Sequence, residues 1–155
     1  MNEYLVVKWL HILSSTLLFG TGIGSAFYLL VSVLQRDTRV VAGVARIVVI
    51  ADWLFTATTV IAQPLTGLYM VHLAGMPLGT RWLAWSMVLY AIAVACWLPV
   101  VWLQLRIRDL LDAKVAGGTI DEARLRRYFR WWFALGWPAF AGLVVVFWLM
   151  VAKPA

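Results

Sequence analysis

The sequence predicts an all-α, polytopic membrane protein: a bundle of four transmembrane helices with both termini on the outer side. Three observations carry that prediction. The 155 residues are 64% hydrophobic and only 13% charged, and mean hydropathy is +0.89, whereas soluble domains run nearer half apolar and a quarter charged. Four runs, at about 5–34, 47–74, 82–105 and 129–152, reach the ~20 mostly apolar residues that a membrane helix needs. Ten of the thirteen Lys and Arg residues fall in the two loops on one side of these runs, the asymmetry that orients membrane proteins toward the cytoplasm. The length gives one domain, residues 1–155.

The first run, "LVVKWLHILSSTLLFGTGIGSAFYLLVSVL", has no basic segment before it. It is also longer than the apolar stretch of a cleavable leader, so it reads as a retained span. It carries His11 about 10 Å inside the outer boundary, at 1.5 Å per residue. At about 100° per residue, Tyr4, Ser14, Ser15, Leu18, Gly22 and Ser25 share the histidine's face. Two uses fit such a small, slightly polar face. One is close helix packing with a hydrogen-bonded histidine. The other is a slot for a flat ligand beside an imidazole, with Ser15 and Gly22 clearing bulk. "GTGIG" neither follows a strand nor opens a helix, so it is not a nucleotide loop.

The second run is antiparallel to the first, which puts His72, the only other histidine, near the same outer end. Imidazole suits haem iron, copper and zinc, and Met70 and Met76 offer a softer ligand close to His72. The same run carries Asp52, Thr56, Thr59, Gln63, Thr66 and Met70 at spacings of four, three, four, three and four. That single polar stripe must face the bundle interior, because lipid offers polar atoms no partner. His72 lies nearly opposite the stripe, with Pro64 and its expected kink between them. Asp52, near the cytoplasmic end, is expected to pair with Arg46 or Arg130, or to relay protons.

The third and fourth runs contain Pro99 and Pro138, each closely following a tryptophan. Between these runs, "RIRDLLDAKVA" extends the third helix into water, Gly117-Gly118 ends it, and "TIDE" has the spacing of a capping box. Basic residues in this loop are placed to meet anionic lipid head groups. Tyr4, Trp9, Trp82, Trp85 and Trp148 form an outer aromatic belt; Trp53, Trp102, Tyr128, Trp131 and Trp132 form an inner one. The lone Cys96 excludes an internal disulfide and reads as a packing residue. No carboxylate pair, Ser-His-Asp set, P-loop or fixed-spacing metal motif is present. The net charge of +6 follows from the topology, so the expected partners are the lipid bilayer, a second copy or another membrane protein, and not nucleic acid.

The blocks "KWLHILSSTLLFGTGIGSAF", "ADWLFTATTVIAQPLTGL", "CWLPVVWLQLRIRDL" and "WFALGWPAFAGLVVVFWLMV" resemble the bacterial membrane family called domain of unknown function 2269, over nearly the whole chain. The resemblance implies a multi-pass protein of the bacterial inner membrane and no established activity. More distantly, the histidine of the first span and "QPLTGL" resemble membrane-type protoporphyrinogen oxidases, which bind haem b, and copper-resistance membrane proteins. That likeness makes His11 a candidate haem ligand, although the third span has neither a histidine nor a buried lysine. The readings to be tested are therefore three. The first is a haem b protein in redox or haem biosynthesis, with His11, His72, Ser15 and Gly22 around the cofactor. The second is a copper-handling protein using His11, His72 and Met70. The third is a non-catalytic scaffold.

Overall fold

A computed structural model of the chain describes residues 2–154. It is helical, with four helices long and apolar enough to cross a membrane and no strand among the described residues. The first helix, Glu3–Leu34, is started by Asn2, whose side chain accepts from the Tyr4 N–H at 3.1 Å. A short turn with Arg36 at φ +59° leads to Asp37. The Asp37 carboxylate accepts from the N–H groups of Arg39 and Val40 and starts the second helix, Thr38–Leu73.

The second helix begins about nine residues before the apolar run that announced it. Residues 38–46 carry two arginines and read as loop by composition, but Val41, Ala42, Ala45, Val48 and Val49 recur at helical spacing and are buried. The helix takes one π-turn at Asp52–Thr56 and is α-helical again over Ala57–Leu73, straight through Pro64. Proline lacks the N–H that would bond the carbonyl four residues earlier. That carbonyl belongs to Val60, and the Tyr90 hydroxyl of the third helix donates to it at 2.7 Å. The proline thus creates a vacancy in the helix that ties two helices together, as orphaned backbone groups in lipid require.

The third helix, Arg81–Val115, projects well past the apolar run and ends at Ala116, followed by Gly117 at φ +83°, a conformation that favours glycine. The fourth, Glu122–Ala152, is capped by Asp121, which accepts from the Arg124 N–H at 3.0 Å. The capping residue is therefore Asp121 and not Thr119: the helix starts later than the capping-box spacing implied. Lys114 pairs with Glu122 across this turn.

Packing differs between the two ends. At the end carrying the basic loops, Leu29, Ala45, Val48, Leu103, Ile107 and Leu125 are part of one tight core. Toward the other end the helices form two pairs, first with second and third with fourth, with few contacts between the second and third helices there. Phe19 bridges the pairs, stacking on Phe140 at 5.2 Å and meeting Phe147 edge-on at 5.4 Å. Water drives apolar burial only where the bundle leaves lipid, so the dense core belongs at that end. Large side chains such as Trp9, Phe27, Trp53 and Trp148 stay exposed, as a lipid-facing surface demands.

Candidate functional site

Two polar centres lie inside the bundle, and the first is built around His11. Its ring is buried against the second helix, where Thr66, Gly67 and Gln63 meet it. A methyl group at Gly67 would stand 3.3 Å from His11 Cε1, so only glycine leaves the imidazole unhindered room there. Gln63 Nε2 donates to the His11 carbonyl at 2.9 Å and also to the Ser14 hydroxyl, and Ser14 itself donates to the His11 carbonyl at 3.1 Å. The polar stripe of the second helix therefore faces inward, as its spacing predicts.

The tautomer follows from one hydroxyl proton. Thr66 Oγ1 lies 2.6 Å from the Ala62 carbonyl, to which it donates. With that proton spent, Thr66 accepts from the His11 Nδ1–H at 2.7 Å. Nε2 then keeps its lone pair. An imidazole anchored through one nitrogen with the other free is the arrangement in which histidine binds metals.

The structure distributes the other candidate residues. His72 is exposed and stacks on Tyr69 at 6.5 Å between ring centroids. Five residues of helix turn it about 140° away from Gly67, the residue that His11 touches, at about 100° per residue. The helix continues through Pro64, and His72 stays exposed, so the two histidines are not brought together. Met70 is half-buried one turn beyond Thr66. Ser15 donates to its own helix at the Ile12 carbonyl, 2.7 Å away. Gly22 has nothing within 4 Å of where a side chain would begin, and it lines an interior cavity with Leu18. Among the described residues no group of three His, Cys, Asp or Glu side chains is placed to hold a metal ion.

That cavity, of about 320 Å³, is the second centre. It lies between the two helix pairs and is walled mostly by aromatic and aliphatic side chains, among them Tyr90, Phe133, Trp137 and Phe140. Its polar wall is Asp52, only 4% exposed, in the π-turn of the second helix. Thr56 donates to Asp52 Oδ1 at 2.9 Å, and Trp97 and Gln104 of the third helix flank the carboxyl group. The expected ion pair is not formed: Arg46 binds Asp112 at 2.8 Å instead, and no cationic side chain pairs with Asp52 among the described residues. Gln104 Oε1 and the indole nitrogens of Trp97 and Trp132 are buried without a hydrogen-bond partner. The polar stripe identified Asp52 and Thr56 but not the part of their setting on the third helix. There Gln104 carried a signal, as an uncharged polar residue in the apolar stretch "WLPVVWLQL".

The comparisons with known proteins agree with this architecture and add no activity. Residues 5–154 match the family described as "Predicted integral membrane protein (DUF2269)", and the chain belongs to that family. No curated protein and no solved structure matches the chain.

Proposed function

We propose that this DUF2269 protein is a multi-pass protein of the bacterial inner membrane that holds haem b through His11, in a redox step or a step of haem biosynthesis. The observation that carries this reading is the His11 Nδ1–H fixed by Thr66, which leaves Nε2 free to ligate. His11 is the one protein ligand in this reading. Gly67 makes room for its ring beside the second helix, and the cavity lined by Leu18 and Gly22 lies further along the bundle without including His11. His72, exposed beside Tyr69, is not placed as a second ligand. When bound, haem would supply one-electron chemistry. His11 would position it.

In this reading both termini lie outside, because Arg36, Arg39, Arg46 and seven basic residues of the 104–130 segment lie at the opposite end. A periplasm-active reporter fused after residue 155 is then active, and one fused at Gly117 is silent.

The visible spectrum of detergent-purified protein from haem-replete cells tests the cofactor. A Soret band that shifts on reduction, and disappears in a helical His11→Ala variant, is the expected result. Wild-type protein without that band, or a variant with unchanged haem content, overturns it. A copper protein using His11 and the half-buried Met70 would show bound copper and no Soret band. The bonds of Gln63, Ser14 and Thr66 to His11 favour a second reading, an interhelical clamp in a scaffold protein, which predicts neither cofactor.

A further inference from the structure

The cavity at Asp52 is a site with its own chemistry, and it does not rest on the haem reading. We propose that it binds a lipophilic organic ammonium ion drawn from the bilayer, with Asp52 as the counter-charge and Gln104 Oε1 as a second acceptor. Four observations lead there.

First, Asp52 is a buried carboxyl group without a cationic side chain beside it. The nearest candidate by sequence, Arg46, is committed to Asp112. A buried charge needs a partner, and this one has only neutral donors. Second, Gln104 is 5% exposed and lines the same cavity, and its carbonyl oxygen has no hydrogen-bond partner. The indole N–H groups of Trp97 and Trp132 line the cavity too, but they are neutral donors, so the carboxylate of Asp52, with Gln104 Oε1 as the unpartnered acceptor, calls for a ligand that presents N–H donors and positive charge.

Third, the remaining walls are aliphatic and aromatic, with Tyr90, Trp97, Phe133, Trp137 and Phe140 among them. Aromatic faces attract cations, more strongly where water is excluded, and also accept the apolar body of the ligand. An inorganic cation would leave those faces unused. Fourth, the carboxyl group sits in a π-turn, a rare departure from the α-helix that is frequent at functional sites. Gly22 and Gly136, on the first and fourth helices, both line the cavity, and a Cβ at either would meet nothing within 4 Å, so they keep it roomy.

The probe is 1-naphthylmethylamine, an aromatic primary ammonium ion at neutral pH. Its neutral counterpart is 1-naphthylmethanol. Equilibrium dialysis against the detergent-solubilised full chain, corrected for empty micelles, should show saturable binding of the amine, one per chain. The amine should bind about tenfold or more tighter than the alcohol, a gap of at least ~1.4 kcal/mol. Asp52→Asn should reduce amine affinity to that of the alcohol. Gly136→Phe, which puts bulk into the cavity from the fourth helix, should abolish binding of both.

Equal binding of amine and alcohol by the wild-type chain overturns the proposal, and that comparison needs no variant to fold. Unchanged amine affinity in Asp52→Asn also overturns it. His11→Ala separates this site from the haem site: it should leave amine binding intact, whether or not the protein carries haem.

Discussion

Gly67 of the second helix sets the position of the His11 ring on the first, since an added Cβ there would lie 3.3 Å from His11 Cε1. Two effects oppose each other in Gly67→Ala. Alanine favours a helix over glycine by about 1 kcal/mol. A contact this tight forces the imidazole to give by a few tenths of an ångström. The sum is expected near zero, with His11 still on Thr66. Gly67→Leu adds bulk that the helix–helix contact cannot absorb and should destabilise by about 1–3 kcal/mol. Unfolding in mixed detergent measures both, and a Leu variant as stable as wild type would show that the two helices are not in close contact here.

Gln63 joins the first two helices through the His11 carbonyl and the Ser14 hydroxyl. Gln63→Leu removes both bonds at nearly constant volume. Hydrogen bonds between membrane helices average about 0.6 kcal/mol and reach about 2, so a loss in that range is expected by the same unfolding assay. A paired Ser14→Ala, Gln63→Leu cycle should show coupling, because the two side chains meet directly. Independent effects would mean that they do not.

The Arg46–Asp112 pair locks the second helix to the third beyond the apolar core, but its side chains are 54% and 36% exposed. Ion pairs this open contribute about 0–1 kcal/mol and weaken with salt. Asp112→Asn should therefore cost less than about 1 kcal/mol, and the cost should shrink as salt is raised. A larger, salt-insensitive loss would mean that the pair is screened from solvent by something bound over it.

The four helices were legible in the sequence because each spanning segment must be apolar over a fixed length, and length and apolarity are local properties. The inward face of the second helix was legible for a similar reason: Thr59, Gln63 and Thr66 have no partner in lipid, so their spacing alone fixes the direction they face. What the sequence concealed depends on side chains meeting across helices. By sequence Asp52 has two candidate arginines, Arg46 and Arg130, and neither pairs with it among the described residues: the third helix projects far enough to give Arg46 to Asp112. The cavity was hidden because its walls come from all four helices. The start of the second helix was hidden because arginines on an amphipathic helix lower its mean apolarity to that of a loop.

The last relationship lies outside the membrane and depends on pH. Asp121 starts the fourth helix by accepting from the Arg124 N–H, and that bond to the charged form, with the Ala123 N–H and nearby arginines adding to it, holds its carboxyl group below the usual carboxylate range. The sign follows from linkage. A carboxyl group with a folded pKa below its unfolded one binds fewer protons when folded, so it stabilises the helix start above its unfolded pKa. That stabilisation is lost as pH falls through the depressed folded value. Amide protection of Arg124, read by hydrogen exchange with the intrinsic rate corrected, should therefore hold down through the ordinary carboxylate range and fall only at more acid pH. Asp121→Asn keeps an accepting oxygen at the cap and should remove that pH step, while Asp121→Ala should lower protection at every pH. A step that survives in Asp121→Asn would assign it to another acid, with Glu122, paired to Lys114, the first to test.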